Sequence, residues 1–328
     1  MAATNIEVWQ NAIVLENTPI ALGINKVVLR QETPVKAEPG THIDVHVETP
    51  EGTVRRSYSI VEQSEDLRDL TLGVFHVPTS RGGSIAMHSL EEGSIIEATQ
   101  PLQNFPLRIG APKYVLIAGG IGVTALVSMA KVLKSVSADY QLYFSARSEN
   151  AAAFLDDLLH IHGERLHPYF DDQGDSLNLD KIISQVEPGT EMYVCGPIRM
   201  MDSARRLWAN TDNEVSNLRF ETFGASGWFD PEEFTVRVPA QNVEVIVGKN
   251  TSILEALETA GVEMLSDCRK GECGLCEVRV EKLTGEIDHR DVFYSERQKQ
   301  QGEKLSCCVS RVIAGKSQMP AVLEIITS

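Results

Sequence analysis

"KYVLIAGGIGVTALVSMAKVLKSV", residues 113–136, is the stretch on which the architecture turns. Residues 114–130 carry no charge, and hydropathy alone would allow a membrane span. The stretch is short for one, since a helix needs about 20 apolar residues to cross. Gly119, Gly120 and Gly122 also divide it. The first half, KYVLIAGG, has the unbroken apolar character of a buried strand, and the second, VTALVSMAKVLKSV, has helical periodicity. The glycines then form a strand–turn–helix connection, Gly120-x-Gly122-x-x-Ala125. Such a turn lets a pyrophosphate approach the first N–H groups of the helix, where the dipole favours an anion.

The same rhythm continues downstream. DYQLYFSAR reads as a strand, AAAFLDDLLHIH as a helix, EMYVCG as a strand and IRMMDSARRLWAN as a helix. Strand and helix alternating in this way predict a parallel α/β sheet. Ligands collect at the carboxyl ends of such strands, which makes Cys195, Gly196 and Pro197 of YVCGP candidates to meet a nicotinamide. A buried cysteine before a helix-starting turn is the plainer reading of those residues. The second strand ends in Ser145-Ala146-Arg147, without the carboxylate that would hold a ribose 2′-hydroxyl. Arg147 would suit a 2′-phosphate, while Asp171 and Asp172 could serve a ribose. The residues alone leave NADH and NADPH open.

Beyond a linker-like GASGWFDPEE (224–233), FTVRVPAQNVEVIV resembles a hairpin and SILEALETAG a short helix ending at Gly261. There follows "SDCRKGECGLCEV", in which Cys268-x4-Cys273-x2-Cys276 is joined some thirty residues later by Cys307 and Cys308. This is the plant-type [2Fe-2S] ligand spacing, in which four thiolates hold two irons. Gly271 and Gly274 would let the backbone wrap closely and aim N–H groups at anionic sulfurs. A zinc knuckle and inert buried thiols are the alternatives. Zinc usually wants two Cys-x2-Cys pairs, or one pair with nearby histidines.

The first third, to about residue 108, alternates polar and apolar residues in runs such as THIDVHVET and LTLGVFHV, which predicts an antiparallel barrel or sandwich. RRSYSI would place Arg56, Tyr58 and Ile60 on one strand face and Ser57 and Ser59 on the other. An arginine can hold a phosphate and a tyrosine can pack on a flat ring, although the segment by itself reads as an ordinary half-buried strand. In SRGGSIAMHSL, Gly82-Gly83-Ser84 precede a short apolar helix, as either a phosphate nest or a plain serine cap. HIDVH would align His42, Asp44 and His46, but a simple half-exposed strand is the expectation there.

At 328 residues the chain has room for two or three domains. Its 46 acidic against 30 basic residues give a net charge of −16, which disfavours nucleic acid or an anionic membrane as the main partner. The first basic residue is Lys26, so no basic segment leads a secretory signal. A cytoplasmic protein is expected, in which six cysteines serve as ligands or thiols rather than structural disulfides.

In order along the chain, RSYS, RGGS, AGGIGVT, YVCGP, RFETF, CRKGECGLC, DHRD and CCVSR together resemble the phthalate dioxygenase reductase family. The resemblance runs nearly end to end. It implies an FMN-binding antiparallel β-barrel over 1–108, an NAD-binding α/β domain over 109–224, and a linker with a plant-type β-grasp ferredoxin domain over 225–328. Arg56, Ser57, Tyr58 and Ser59 would form the flavin strand, with Val74 beside the ring and Gly82, Gly83 and Ser84 at the FMN phosphate. Gly120, Gly122 and Thr124 would belong to the nucleotide turn, and Phe223 would be an aromatic near the flavin. In this family a hydrophobic residue follows the last cluster ligand, which implies Cys308 as the fourth and Cys307 as its buried neighbour. Two departures stand out: Ala125 replaces a usual proline, and the KLTG region reads as a small insertion that leaves the last ligand's register open.

Family habit implies NADH and FMN. The implied function is the reductase component of an oxygenase system: FMN takes hydride from NADH and releases electrons singly, through a [2Fe-2S] cluster, to a Rieske-type non-haem iron oxygenase. The cofactors carry that chemistry, so no catalytic acid, base or nucleophile is assigned. A non-enzymatic iron–sulfur carrier or sensor with degenerate first domains is the alternative, and a zinc-stabilised binding module a further one.

Overall fold

The computed structural model describes residues 7–50, 52–77, 82–223, 227, 229–315 and 320–327. The chain divides into two compact units, Met1–Glu221 and Thr222–Ser328. Among the described residues no helix is long and apolar enough to cross a membrane.

The first unit opens with β1 (Trp9–Ala21), β2 (Ile24–Gln31), β3 (Thr41–Thr49), β4 (Gly52–Gln63), β5 (Asp69–Phe75), α1 (Gly83–His88), β6 (Ile95–Thr99) and β7 (Leu102–Gln103). Six strands run in the order β4-β5-β2-β1-β6-β3, and β3 pairs with β4 to close an antiparallel barrel, with β7 added beside β3. Alternation fills its interior: Val14, Val27, Leu29, Ile43, Val45, Leu72 and Val74 are fully buried there. The register shifts in β1, between Val14 and Glu16 and between Pro19 and Ala21, and in β4, between Ile60 and Glu62. Ile60 enters the barrel core while Val61, on the opposite face of the strand, packs into the core of the following sheet.

That sheet is built from β8 (Tyr114–Gly119), a 3-10 turn Gly120–Gly122, α2 (Val123–Ser135), β9 (Tyr140–Ala146), α3 (Leu155–His162), β10 (Leu166–Phe170), α4 (Leu179–Ile183), β11 (Glu191–Cys195), α5 (Ile198–Trp208) and β12 (Leu218–Glu221). All its pairings are parallel, in the order β10-β9-β8-β11-β12. The chain proceeds outward from β8 through β9 to β10, then returns to the other side of β8 for β11. The reversal leaves a crevice between the carboxyl ends of β8 and β11, where open α/β sheets bind ligands. The helix expected over AAAFLDDLLHIH is shorter than its pattern, because Phe154 takes a left-handed conformation (φ 62°) and α3 starts only after it.

The second unit contains β13 (Phe234–Val238), β14 (Val243–Val247), α6 (Ile253–Thr259), β15 (Glu277–Thr284), β16 (Glu286–Asp288), α7 (Glu296–Gln301), β17 (Lys304–Ser306), β18 (Arg311–Ile313) and β19 (Val322–Ile326). A mixed sheet β14-β13-β19-β15-β17 carries α6 against its core, and β16 pairs with β18 apart from it. The helix begins where its sequence says it should: Ser252 and Glu255 form a reciprocal capping box. This is the β-grasp arrangement. Parts of the linker, residues 224–226 and 228, lie outside the described residues.

Candidate functional site

The crevice between β8 and β11 is lined by backbone in direct contact. Gly122 lies so close to the end of β11 that a Cβ there would be 2.2 Å from the Cys195 carbonyl oxygen. Gly120, at φ +55°, has open space where a side chain would project. The strand–turn–helix glycines thus do two jobs: one lets the CGP turn approach, the other keeps the mouth clear. Cys195 is fully buried at the end of β11, and Pro197 caps α5. The Thr124 hydroxyl is spent within the turn, donating to Ile121 O at 2.9 Å. Its methyl meets barrel strand β5, where a Cβ on Gly73 would be 2.6 Å from Thr124 Cγ2 and 3.1 Å from the Phe154 ring. The left-handed break before α3 therefore turns Phe154 against the barrel. Arg147 is exposed just beyond β9, and its carbonyl accepts from Asp172 N at 3.0 Å. Arg147 and the Asp171–Asp172 pair thus lie together beyond the carboxyl ends of β9 and β10.

On the barrel side, β4 carries Arg56, Ser57, Tyr58 and Ser59. Tyr58 packs on the barrel core, and burial pushes its phenol well above the ordinary tyrosine value. Arg56 lies across the start of α1, so tightly that a Cβ on Gly83 would be 2.4 Å from its Nε. Gly82 precedes that helix at φ +89° with no side-chain cap. A guanidinium beside uncapped helix-start N–H groups, with room only for glycine, fits a phosphate. Ser84 Oγ, nearly buried, accepts from Val77 N at 3.2 Å; residues 78–81 lie outside the described residues. The Ser57 hydroxyl donates to the buried Asp44 carboxylate, which also takes Arg55. With His46 stacked on Trp9 and bonded to Glu97, the HIDVH strand is committed to ordinary polar pairing. Val74 is fully buried in the barrel core, and its carbonyl receives the His88 ring at 2.9 Å.

In the second unit the loop between α6 and β15 wraps with Arg269, Gly271 and Gly274 all at positive φ. Two backbone N–H groups, of Lys270 and Glu272, point at Cys268 Sγ at 3.4 Å each. The loop is tied from outside by Thr222, whose hydroxyl donates to Lys270 O at 2.6 Å and whose N–H donates to Glu272 Oε1 at 2.7 Å. Behind it, the DHRD segment is a buried polar network. Asp291 accepts from Tyr294 N at 3.0 Å and Ser310 Oγ at 3.3 Å, while Val292 N donates to Gly271 O at 3.0 Å. Asp288 and Arg290 pair at 2.7 Å. Hydrogen bonds from Cys307 and Cys308 lower the Cys276 thiol to about 3 and push both partners up. Cys308 also feels Cys268, whereas Cys307 feels Cys276 and Glu258. Cys307 is anchored by its backbone, donating to Cys276 O at 3.1 Å and accepting from Leu254 N at 3.0 Å. Among the described residues no His, Cys, Asp or Glu group is closed into a metal cage, the cysteines included. What fits a cluster is the ligand spacing, the N–H groups aimed at sulfur, and thiols drawn together around Cys276.

The carnitine monooxygenase reductase subunit of Acinetobacter pittii is 35% identical over 273 residues, covering 83% of this chain and 88% of the relative. Phthalate dioxygenase reductase of Burkholderia cepacia is 32% identical over 281 residues, covering 84% of each. The chain belongs to the phthalate dioxygenase reductase family. Residues 236–311 of this reductase match the 2Fe-2S iron-sulfur cluster binding domain, a span that holds all five cysteines of the second unit. A solved structure of phthalate dioxygenase reductase, described as modular for electron transfer from pyridine nucleotides to [2Fe-2S], superposes with a TM-score of 0.73. It is 29% identical and covers 96% of this chain and 98% of that one. The protein is an oxidoreductase, the reductase component of an oxygenase system.

One residue of this reductase escaped the sequence reading. Glu221, at the end of β12, is 1% exposed and accepts from Ser59 Oγ at 3.4 Å. Its register partner on β11 is Cys195. Barrel strand, CGP turn and a buried carboxylate therefore converge at the crevice. The only sequence signal was an acid at the end of a short apolar strand in RFETF, where burial of a carboxylate demands partners.

Proposed function

We propose that this chain accepts reducing equivalents from NADH at the β8–β11 crevice and passes them through FMN on the barrel and a [2Fe-2S] cluster in the second unit to a terminal oxygenase. The observation that carries this reading is the meeting of barrel strands β5 and β4 with the carboxyl side of the parallel sheet, through Gly73 on Thr124 beside the nucleotide turn and Ser59 on Glu221 at the end of β12. A nicotinamide at the end of β11 and a flat ring along β4 would then share one crevice.

When bound, FMN supplies an acceptor for two electrons that gives them up one at a time, and the cluster supplies a one-electron relay. The chain's work is placement. Gly120, Gly122 and the free N–H groups opening α2 would hold the pyrophosphate, with Cys195, Gly196 and Pro197 at the nicotinamide end. Arg56, Gly82, Gly83 and Ser84 would hold the FMN phosphate, and Tyr58, Ser57, Ser59 and the β5 backbone at Val74 would bound the ring. Glu221, held by Ser59, would fix the wall against which the nicotinamide rests. Asp171 and Asp172 would serve the ribose and favour NADH, with Arg147 at the rim. Cys268, Cys273, Cys276 and Cys308 would ligate the irons, and Phe223, exposed, would stand near the flavin.

The functional division follows as 1–108 for FMN, 109–224 for NAD and 225–328 for the linker and ferredoxin. A Rieske-type oxygenase as partner and a cytoplasmic setting complete the reading, supported by the family resemblance and the cysteine usage. The test is analysis of the purified protein. One FMN, two irons and two sulfides per chain are expected, whereas bound zinc, or a protein without flavin, would sink the proposal.

A further inference from the structure

Barrel strands β4 and β5 pair as far as Ile60 and Leu72, whereas β5 stays on β2 as far as Phe75. The two strands therefore fork, with Gly73 the first residue along one arm and Ser59 the first along the other. Val74 and Tyr58, the next residue on each arm, are among those proposed to bound the flavin ring. The parallel-sheet half of the unit holds both arms. On β4 the hold is the hydrogen bond from Ser59 to Glu221. On β5 it is apolar: a Cβ on Gly73 would meet Thr124 Cγ2 at 2.6 Å, the Phe154 ring at 3.1 Å and Ile121 Cδ1 at 3.4 Å.

Thr124 and Ile121 belong to the nucleotide turn and its helix, but Phe154 comes from the connection between β9 and α3. That connection is tied to the barrel a second time, where Leu22 N in the β1–β2 turn donates to Asn150 O at 2.7 Å. Ala152 and Ala153, between the two ties, are buried. A plain hydrophobic plug would account for an aromatic ring at this place, but not for the backbone beneath it. Phe154 holds φ 62° and ψ 14°, a left-handed conformation that a bulky residue keeps only where its surroundings impose it. Glycine or asparagine would open α3 there with far less strain. The preceding alanines favour a continuous helix as well. Both local preferences are overridden, and the result is a ring set against the one residue of β5 that has no side chain.

We propose that Phe154 is a positioning residue for hydride transfer, a spacer whose ring, seated on Gly73 beside Thr124, fixes how far the nucleotide turn stands from the fork of β4 and β5. This rests on the proposed placement of FMN and NADH in that crevice. The transfer moves one hydrogen with two electrons from NADH to FMN, leaving NAD+ and reduced FMN, and it needs the reacting atoms about 3–3.5 Å apart. Phe154 acts on that distance through the Thr124 turn on one side and β5 on the other. Its loss leaves the groups that bind each cofactor in place and the gap between them unset.

The test uses the full-length protein loaded with FMN and cluster. Phe154→Gly deletes the ring and relieves the left-handed backbone, Phe154→Tyr keeps the ring, and Gly73→Ala pushes on the same contact from the barrel side. Flavin reduction is followed by anaerobic stopped-flow with NADH and with NADH deuterated at the transferred position, and the flavin potential is measured separately. In Phe154→Gly and Gly73→Ala the limiting rate should fall about tenfold or more and carry a primary deuterium isotope effect. The long-wavelength charge-transfer absorbance of the NADH–flavin complex should weaken, with half-saturation by NADH and the flavin potential unchanged. Phe154→Tyr should keep the wild-type rate. A merely structural ring would lower the melting temperature or the flavin content and leave the rate per bound flavin as it was. Native limiting rates in folded Phe154→Gly and Gly73→Ala, slowing without an isotope effect, or a Phe154→Tyr protein as slow as Phe154→Gly would overturn the inference and leave the proposed function standing. A wild-type flavin that NADH does not reduce would overturn both. Should Phe154→Gly fail to fold or to hold FMN, Gly73→Ala decides.

Discussion

Replacing Gly122 by alanine probes the nucleotide crevice at its tightest point. The added Cβ would sit 2.2 Å from the Cys195 carbonyl oxygen, 2.5 Å from its carbon and 2.9 Å from Gly196 N. Ordinary contact begins near 3.4 Å, so the two turns must part by about 1.2 Å. Both sides of the contact are backbone at the ends of paired strands, and no side chain can swing aside to relieve it. Overpacking of this kind costs about 1–3 kcal/mol of stability. A displacement of about 1 Å between reacting partners can slow a reaction by about 100-fold. Gly122→Ala should therefore melt at a lower temperature while retaining flavin and cluster, since neither proposed site is touched. In anaerobic stopped-flow with NADH, its flavin should bleach about 100-fold more slowly than the wild type. A folded Gly122→Ala protein that is reduced at the native rate would refute the placement of the nucleotide between these turns.

Arg56→Gln removes the cation beside the start of α1 and should weaken FMN binding about 10- to 100-fold. Fluorescence titration of apoprotein should show this for FMN and not for riboflavin, which lacks the phosphate. Cys308→Ala should abolish the visible cluster spectrum, while Cys307→Ala should retain it; the reverse pattern would exchange their roles. Burial pushes the Asp291 carboxyl up, but His289, the Tyr294 N–H and Lys299 outweigh it and hold it below the ordinary aspartate value. Its ionised form thus stabilises the second unit at neutral pH, and that contribution fades as pH falls below the ordinary value toward the depressed one. Asp291→Asn should cost about 3 kcal/mol at pH 7 and flatten the acid limb of the stability profile, read by denaturant melts across pH.

The parts that the sequence made legible are those whose chemistry is local. A strand, three glycines and a helix announce themselves within 24 residues, and the cysteine loop carries its ligands and its positive-φ glycines in one run. What was not legible depends on partners far along the chain. Glu221 acquires meaning only once β12 lies beside β11 and Ser59 reaches it across 162 positions. Ile60 and Val61 are two apolar neighbours in sequence, and that each face of β4 meets a different core shows only once the parallel sheet packs on the barrel. The early residues of AAAFLDDLLHIH have good helical propensity, yet packing of Phe154 against Gly73 overrides it. The Thr124 hydroxyl is bonded within its own turn, to Ile121 O, a partner that the motif alone does not name.

If electrons enter at the nucleotide crevice and leave through the cysteine loop, NADH must reduce the flavin and the cluster in turn. An anaerobic titration of the purified holoprotein with NADH, and separately NADPH, tests it most directly, with flavin followed near 450 nm by absorbance and the cluster by electron paramagnetic resonance at low temperature. NADH should bleach the flavin and then give the signal of a reduced [2Fe-2S] cluster, at lower concentration than NADPH requires. A cluster that remains oxidised while the flavin is fully reduced, or a protein indifferent to both nucleotides, would contradict it.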